Sequence, residues 1–168
     1  MFLAFAIGKW TQETCRLMID RLYSRTQLPL PDNKIQIFSD GNDDYTYVLP
    51  EFYATTCIDY GQLIKIRENG RVVDKEKRVI YGNPNVDDIE ITNAENFNGI
   101  LRERVGRLVR ETKCHSKRKS SLVNALEIIQ FHWNFMDPLS DDTTPAMMES
   151  LSDFIWNWEN FLMYHFAV

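Results

Sequence analysis

Lys34-Ile35-Gln36-Ile37-Phe38-Ser39-Asp40-Gly41 is the stretch whose reading decides the fold class. Ile35 and Ile37 fall on one face at the period of two that a strand requires. Asp40-Gly41 is a turn signal, so the segment reads as a half-buried strand ending on an acidic residue. Toward the amino terminus, Leu28-Pro29-Leu30-Pro31-Asp32 is a loop. Before it, Cys15, Met18 and Leu22 recur at helical spacing while Glu13, Arg16 and Arg21 stay polar. Thr11 can cap that helix. The opening run Phe2-Leu3-Ala4-Phe5-Ala6-Ile7-Gly8 is apolar without alternation and reads as a buried strand. No turn or cap precedes it, so it is expected to lack an upstream partner strand.

Toward the carboxyl terminus, Leu63-Ile64-Lys65-Ile66 and Val72-Val73 flank Glu68-Asn69-Gly70-Arg71. An Asn-Gly pair between such runs predicts a type I′ hairpin, placed at about 62–82. Asn83-Pro84-Asn85 is a loop. From Asn93 to Arg110 the period is helical, with Phe97, Leu101, Val105 and Leu108 in one apolar stripe. A second helix is expected over Lys119–Met136, facing the core with Leu122, Leu126, Ile129, Trp133 and Met136. Thr144-Pro145 looks like an N-cap followed by proline at the first helical position. Ser152-Asp153 is expected to cap a last helix carrying Phe154, Trp156, Trp158 and Phe161. Strand, helix, strand, hairpin and then helices predict an α/β or α+β layer protein with a mixed sheet.

The 168 residues suit one domain. A 44% hydrophobic and 26% charged composition can bury a sizeable core. Cys15, Cys57 and Cys114 are odd in number and form no CxxC pair, which argues against a disulfide framework and a zinc ribbon. The opening apolar run is too short to span a bilayer, and no basic residue precedes it as in a signal peptide. A cytoplasmic protein without a membrane partner is expected.

Net charge is −5, but its distribution is uneven. Residues 101–120 hold Arg102, Arg104, Arg107, Arg110, Lys113, Lys117, Arg118 and Lys119 against Glu103 and Glu111, a net of +6. The remainder carries 11 basic and 22 acidic residues, a net of −11. Such asymmetry suggests a surface for a polyanion; the plainer alternative is a solvated helix face.

Two carboxylates could carry chemistry. Asp40 sits at the end of the core strand, where α/β sheets commonly meet ligands, although taken alone it reads more simply as a turn aspartate. Glu95 lies on the first turn of the Asn93–Arg110 helix. At about 100° per residue, Asn98, Arg102 and Gly106 share its face. Favourable helix-dipole placement explains Glu95 but not Asn98 or Arg102. An Asp at a strand end and a Glu on a later helix are what two-metal phosphoryl transfer needs, and hard oxygen ligands suit Mg²⁺.

At these residues the chain resembles a known family. Glu95-Asn96-Phe97-Asn98-Gly99-Ile100-Leu101-Arg102, with Arg107-Leu108-Val109-Arg110-Glu111-Thr112-Lys113-Cys114-His115-Ser116-Lys117 after it, resembles the catalytic-glutamate helix of transposases of the insertion-sequence-one family. Asp40-Gly41-Asn42-Asp43-Asp44-Tyr45 looks like that family's second-aspartate motif. Phe2–Thr11 looks like the strand and helix start between its first and second aspartates. Leu126–Phe135, with Trp133-Asn134, and the tail with Thr144-Pro145-Ala146-Met147 and Trp156-Asn157-Trp158-Glu159 are similar too. The resemblance implies a ribonuclease-H-like mixed sheet flanked by helices, incomplete at its first strand. It implies a three-carboxylate Mg²⁺ site, with Asp40 second and Glu95 third and Asn98 in support. It also implies DNA cleavage and strand transfer at the inverted-repeat ends of a mobile element. The double-stranded DNA partner would be met by the eight basic residues of 101–120, and a homo-oligomer is one candidate assembly.

The first aspartate has no counterpart, since Asp20 falls mid-helix. The chain is therefore expected to be truncated at its start and inactive by itself. The expected division is a catalytic core over 1–136 and a helical tail over 137–168. The other reading kept open is a non-catalytic nucleic-acid-binding module using the basic 101–120 face. His115, His132 and His165 lack metal-ligand spacing, and Trp133, Trp156 and Trp158 read as core residues.

Overall fold

The structure, a computed structural model, describes residues 1–108, 118–139 and 141–164. The chain divides into two compact units, Ala4–Arg104 on one side and Met1–Leu3 with Val105–Val168 on the other. The boundary expected at residue 136 thus falls inside the second unit.

The first unit is α/β. Helix α1 (Gln12–Tyr23) leads to strand β1 (Ile35–Asp40), helix α2 (Asp44–Phe52), strands β2 (Ile58–Glu68) and β3 (Arg71–Tyr81), a 3₁₀ turn (Val86–Asp88) and helix α3 (Thr92–Arg104). The sheet order is β1-β2-β3. β1 and β2 are parallel, with Ile35 opposite Ile58 and Asp40 opposite Leu63. β2 and β3 are antiparallel, so the sheet is mixed, as the sequence predicts.

Alternation along the strands divides the core in two. On one face Tyr60 and Ile58 join Cys15 and Ile19 of α1 and Val48 and Leu49 of α2, with Ile35 and Ile37 packed against them. On the other, Leu63 packs with Ile89 and Ile91 against Phe38. Helices α1 and α2 therefore cover one face, and the segment carrying Ile89 and Ile91, between the 3₁₀ turn and α3, covers the other. Gly61 marks how closely the second layer approaches: a Cβ there would stand 2.6 Å from Ile89 Cδ1.

The hairpin is built as its turn residues require. Asn69 and Gly70 both adopt positive φ, 49° and 78°, the left-handed pair that a type I′ turn needs. β2 is buried from Ile58 to Leu63, except for Asp59, and exposed from Ile66 onward, so the distal half of the hairpin leaves the core. Thr11 caps α1, its hydroxyl accepting from the Thr14 N–H.

Three expectations are corrected. Phe2–Gly8 forms no strand, because side chains rather than a neighbouring strand take several of its backbone groups. The Asn134 amide accepts from the Phe2 N–H and donates to the Phe2 carbonyl, both at 2.8 Å. Gln130 Nε2 donates to the carbonyls of Phe2 and Leu3, and Arg21 donates to that of Phe5. Secondly, α3 stops at Arg104; Gly106 lies in a separate 3₁₀ turn (Gly106–Leu108) and so leaves the face of Glu95. Thirdly, the last helix, α6 (Trp158–Met163), begins later than expected. Asn157 caps it through a reciprocal capping box with Asn160, whereas Ser152 accepts from the Trp156 indole.

Helix α2 was not foreseen. Its Pro50 cannot donate to the Thr46 carbonyl one turn back. The Tyr81 hydroxyl donates to that carbonyl instead, at 2.8 Å.

In the second unit, α4 (Lys119–Phe131) runs on into a π-helical turn (His132–Met136), matching the expected Lys119–Met136 helix. A short helix, α5 (Pro145–Met148), carries the expected Thr144 cap and leading proline. Trp156 packs edge-on against Phe131, Phe135 and Tyr164 and stacks on Phe154. No helix among the described residues is long and apolar enough to cross a membrane.

Candidate functional site

Asp40 ends β1 with an exposed side chain. Its Oδ1 accepts from the Asn42 N–H at 3.3 Å, the local bond expected of a turn aspartate. The Ser39 hydroxyl lies 2.8 Å from both the Asp40 carbonyl and the Tyr60 hydroxyl. Gln62, buried on β2, donates to the Tyr60 hydroxyl and to the Asn42 carbonyl at 2.8 and 3.1 Å. The loop after Asp40 is thus fastened to β2 by a buried amide.

Glu95 stands on the first turn of α3, where its carboxylate accepts from Lys65 Nζ. Lys65 lies two residues beyond Leu63, the cross-strand partner of Asp40. Side chains two apart on a strand share a face, about 6.6 Å from each other along it. Strand β2 therefore relates both carboxylates to one side of the sheet. Asn98 and Arg102 are exposed on α3, and the cation held by Glu95 is Lys65, not Arg102. Lys65 went unremarked in the sequence; its alternation with Leu63 before the Asn-Gly turn was the available signal.

Of the predicted basic residues, Arg102 and Arg104 end α3 in the first unit. Arg107, Arg118 and Lys119 are exposed in the second. Arg110, Lys113 and Lys117 lie outside the described residues, as do Cys114, His115 and His165. His132 lies in the π-helical turn with its ring 5.8 Å from that of Trp158.

Among the described residues no three His, Cys, Asp or Glu side chains form a group able to hold a metal ion. Asp40 and Glu95 offer the hard oxygens that Mg²⁺ prefers, but they are two where a two-metal site shares more, and one already holds an ammonium.

Beside the Asp40 loop is an open cleft of about 280 Å³. Ala6, Cys15, Met18 and Tyr45 form its apolar part, and Lys9, Trp10, Thr11, Thr14 and Asn42 its rim. Burial, helped by Asp44, pushes the Cys15 thiol up to about 11, so it stays protonated at neutral pH and is no nucleophile. Burial likewise pushes the Tyr45 phenol up to about 12, with Cys15 and Asp40 adding to the shift.

Compared with family models, with curated protein sequences and with solved structures, the chain finds no significant match.

Proposed function

We propose that this chain is catalytic-domain sequence of a DDE transposase of the insertion-sequence-one family, built on a ribonuclease-H-like sheet, acting in DNA cleavage and strand transfer at the ends of a mobile element. The observation that carries the reading is the shared side of the sheet. Asp40 ends the parallel strand β1 opposite Leu63, and Lys65 on the same face of β2 holds Glu95. These are the two residues that the family resemblance singles out. Supporting it, Arg102 and Arg104 follow Glu95 on α3, where they can meet duplex phosphates.

The described residues do not complete a two-metal site, so no catalytic step is assigned through Mg²⁺. Cleavage activity is not expected from the described carboxylates alone. What Asp40 and Glu95 supply is oxygen ligands for a divalent cation. The test is Mn²⁺ titration of the full chain, watched by NMR. Paramagnetic broadening centred on Asp40-Gly41 and on Glu95 supports the reading; broadening at neither, or at one without the other, sinks the paired-carboxylate assignment.

One observation favours a second reading, a nucleic-acid-binding module without catalysis. Lys65 already neutralises Glu95, as a protein that has no use for a metal could arrange. That reading predicts DNA binding that is steep in salt and indifferent to Mg²⁺.

A further inference from the structure

We propose that the cleft between the opening segment, α1 and the loop after β1 receives one unpaired nucleobase of a DNA strand whose backbone runs past Asp40. The inference rests on the DNA-processing reading above and names a base-binding subsite for it.

Trp10 is the starting observation. It lies at the rim of the cleft with 86% of its surface exposed. The other tryptophans lie in the second unit, where Trp156 packs among aromatic rings. A large indole left in water beside a cavity is a stacking platform, and every base has a π-face to offer it. The volume, about 280 Å³, lies just below the range for small-molecule sites, roughly 300 Å³ upward, which suits a single ring system. The apolar part formed by Ala6, Met18 and Tyr45 would accept a flat, weakly polar body.

Charge argues for a base over a phosphate. Asp40 ends β1, Asp43 lies in the loop after it and Asp44 opens α2, flanking the lining residues Asn42 and Tyr45, and Glu13 lies in the first turn after the Thr11 cap. Among the described residues Lys9 is the one cation on the lining. An anion inside would meet more negative charge than positive, whereas a neutral base would not. Lys9, on the rim, is placed to meet the phosphate flanking that base. Hydrogen-bonding groups are present for a base edge. Asn42 Oδ1 accepts from the Asp44 N–H, leaving its amide Nδ2 without a partner among the described residues, and Thr14 of α1 is another lining residue. Asn42 also ties the cleft to the candidate site, because its N–H bonds Asp40.

The experiment uses the full chain and a fluorescein-labelled single-stranded 20-mer bearing one central 2-aminopurine, against the same strand with an abasic site there. Trp10 is so exposed that Trp10→Ala and Trp10→Phe should both fold, which circular dichroism checks. The expected result is 2-aminopurine quenching on binding to the wild type. Trp10→Ala should bind about tenfold more weakly, and Trp10→Phe should recover most of the loss. The abasic strand should bind alike to all three. Equal binding of the 2-aminopurine strand by wild type and Trp10→Ala overturns the subsite while leaving the DNA reading standing. Absence of DNA binding by the wild type overturns both. A Trp10→Ala change that instead abolishes self-association in sedimentation shows that a second copy occupies the cleft, and overturns the proposal.

Discussion

Lys65 of β2 donates to the carboxylate of Glu95 on the first turn of α3, and the same strand places Leu63 opposite Asp40. The ammonium therefore competes with any cation drawn to the two carboxylates. Half of the Glu95 side chain is exposed, and ion pairs at such sites contribute about 0–1 kcal/mol. Replacing Lys65 by Met should leave the melting temperature nearly unchanged. It should strengthen Mn²⁺ binding at Asp40 and Glu95 roughly thirtyfold, the effect of removing a unit positive charge about 4 Å from a divalent cation in a water-like dielectric, about 2 kcal/mol. Isothermal titration with Mn²⁺ measures this, and unchanged or weaker affinity would separate the pair from cation binding.

Gln62 sets the position of the loop after Asp40. Its buried amide donates to the Asn42 carbonyl and the Tyr60 hydroxyl. Gln62→Leu keeps the volume but removes both bonds, leaving the Asn42 carbonyl with the Tyr45 N–H at 3.3 Å and the Tyr60 hydroxyl with Ser39, at a cost of about 0.5–1.5 kcal/mol per bond lost. Urea denaturation should register that loss, and amide exchange should rise at residues 40–43. Exchange left unaltered would mean that the loop is held by other contacts.

Where local chemistry governs, the sequence was readable. β1, the Asn69-Gly70 turn, the Thr11 and Thr144 caps and the helix from Lys119 all follow from residues within a few positions of one another. Where a distant group decides, it was not. Asp44-Tyr45-Thr46-Tyr47-Val48-Leu49-Pro50 is rich in β-formers and contains a proline, so propensity argues against α2; the compensating Tyr81 hydroxyl lies on another strand. Phe2–Gly8 carries apolarity without a period, and the amides that hold its start are at Gln130 and Asn134. Asp40 and Glu95 could be named as candidates from sequence; the alternation of Lys65 with Leu63 was legible there too, but its pairing with Glu95 on a later helix was not. Trp10 was passed over because its exposure depends on how the opening segment folds.

Asp59 should give the first unit part of its acid sensitivity. Its Oδ1 accepts from the Asn83 N–H at 2.8 Å and from Lys34 Nζ at 3.1 Å. The Asn83 bond first, and then Lys34, hold its carboxyl below the ordinary value of 3.8. A lowered folded-state value means that the stabilisation is complete from roughly pH 5 upward, about a unit above the ordinary value, and is lost as pH falls through the folded value. Asp59→Asn should lower stability at pH 7 and flatten the decline as pH falls below about 5. Parallel pH curves for the two proteins would remove Asp59 from that role.

Arg102 and Arg107 test the polyanion surface without disturbing packing, since both are exposed. For duplex DNA, each phosphate contact contributes about 0.9 to the slope of log affinity against log salt. Arg102→Gln and Arg107→Gln should each weaken binding similarly on unrelated sequences and reduce that slope by about 1. Fluorescence anisotropy between low and physiological salt reads both quantities. A loss confined to one sequence would instead assign that arginine to base contact.

Asn134 is the residue on which the start of the chain depends. Buried in the π-helical turn, its amide meets both the N–H and the carbonyl of Phe2, as a neighbouring strand would. Asn134→Ala removes both bonds, but the Phe2 carbonyl keeps Gln130, so the loss should be about 1–3 kcal/mol, that of one buried donor's bond. Asn134→Asp keeps the acceptor for the Phe2 N–H and loses only the donor, so its loss should be smaller unless the new charge is itself poorly solvated. Denaturation of both variants, with amide exchange at Phe2 as the local readout, orders them. Wild-type exchange at Phe2 in Asn134→Ala would show that the opening segment is held by its apolar side chains and not by this amide.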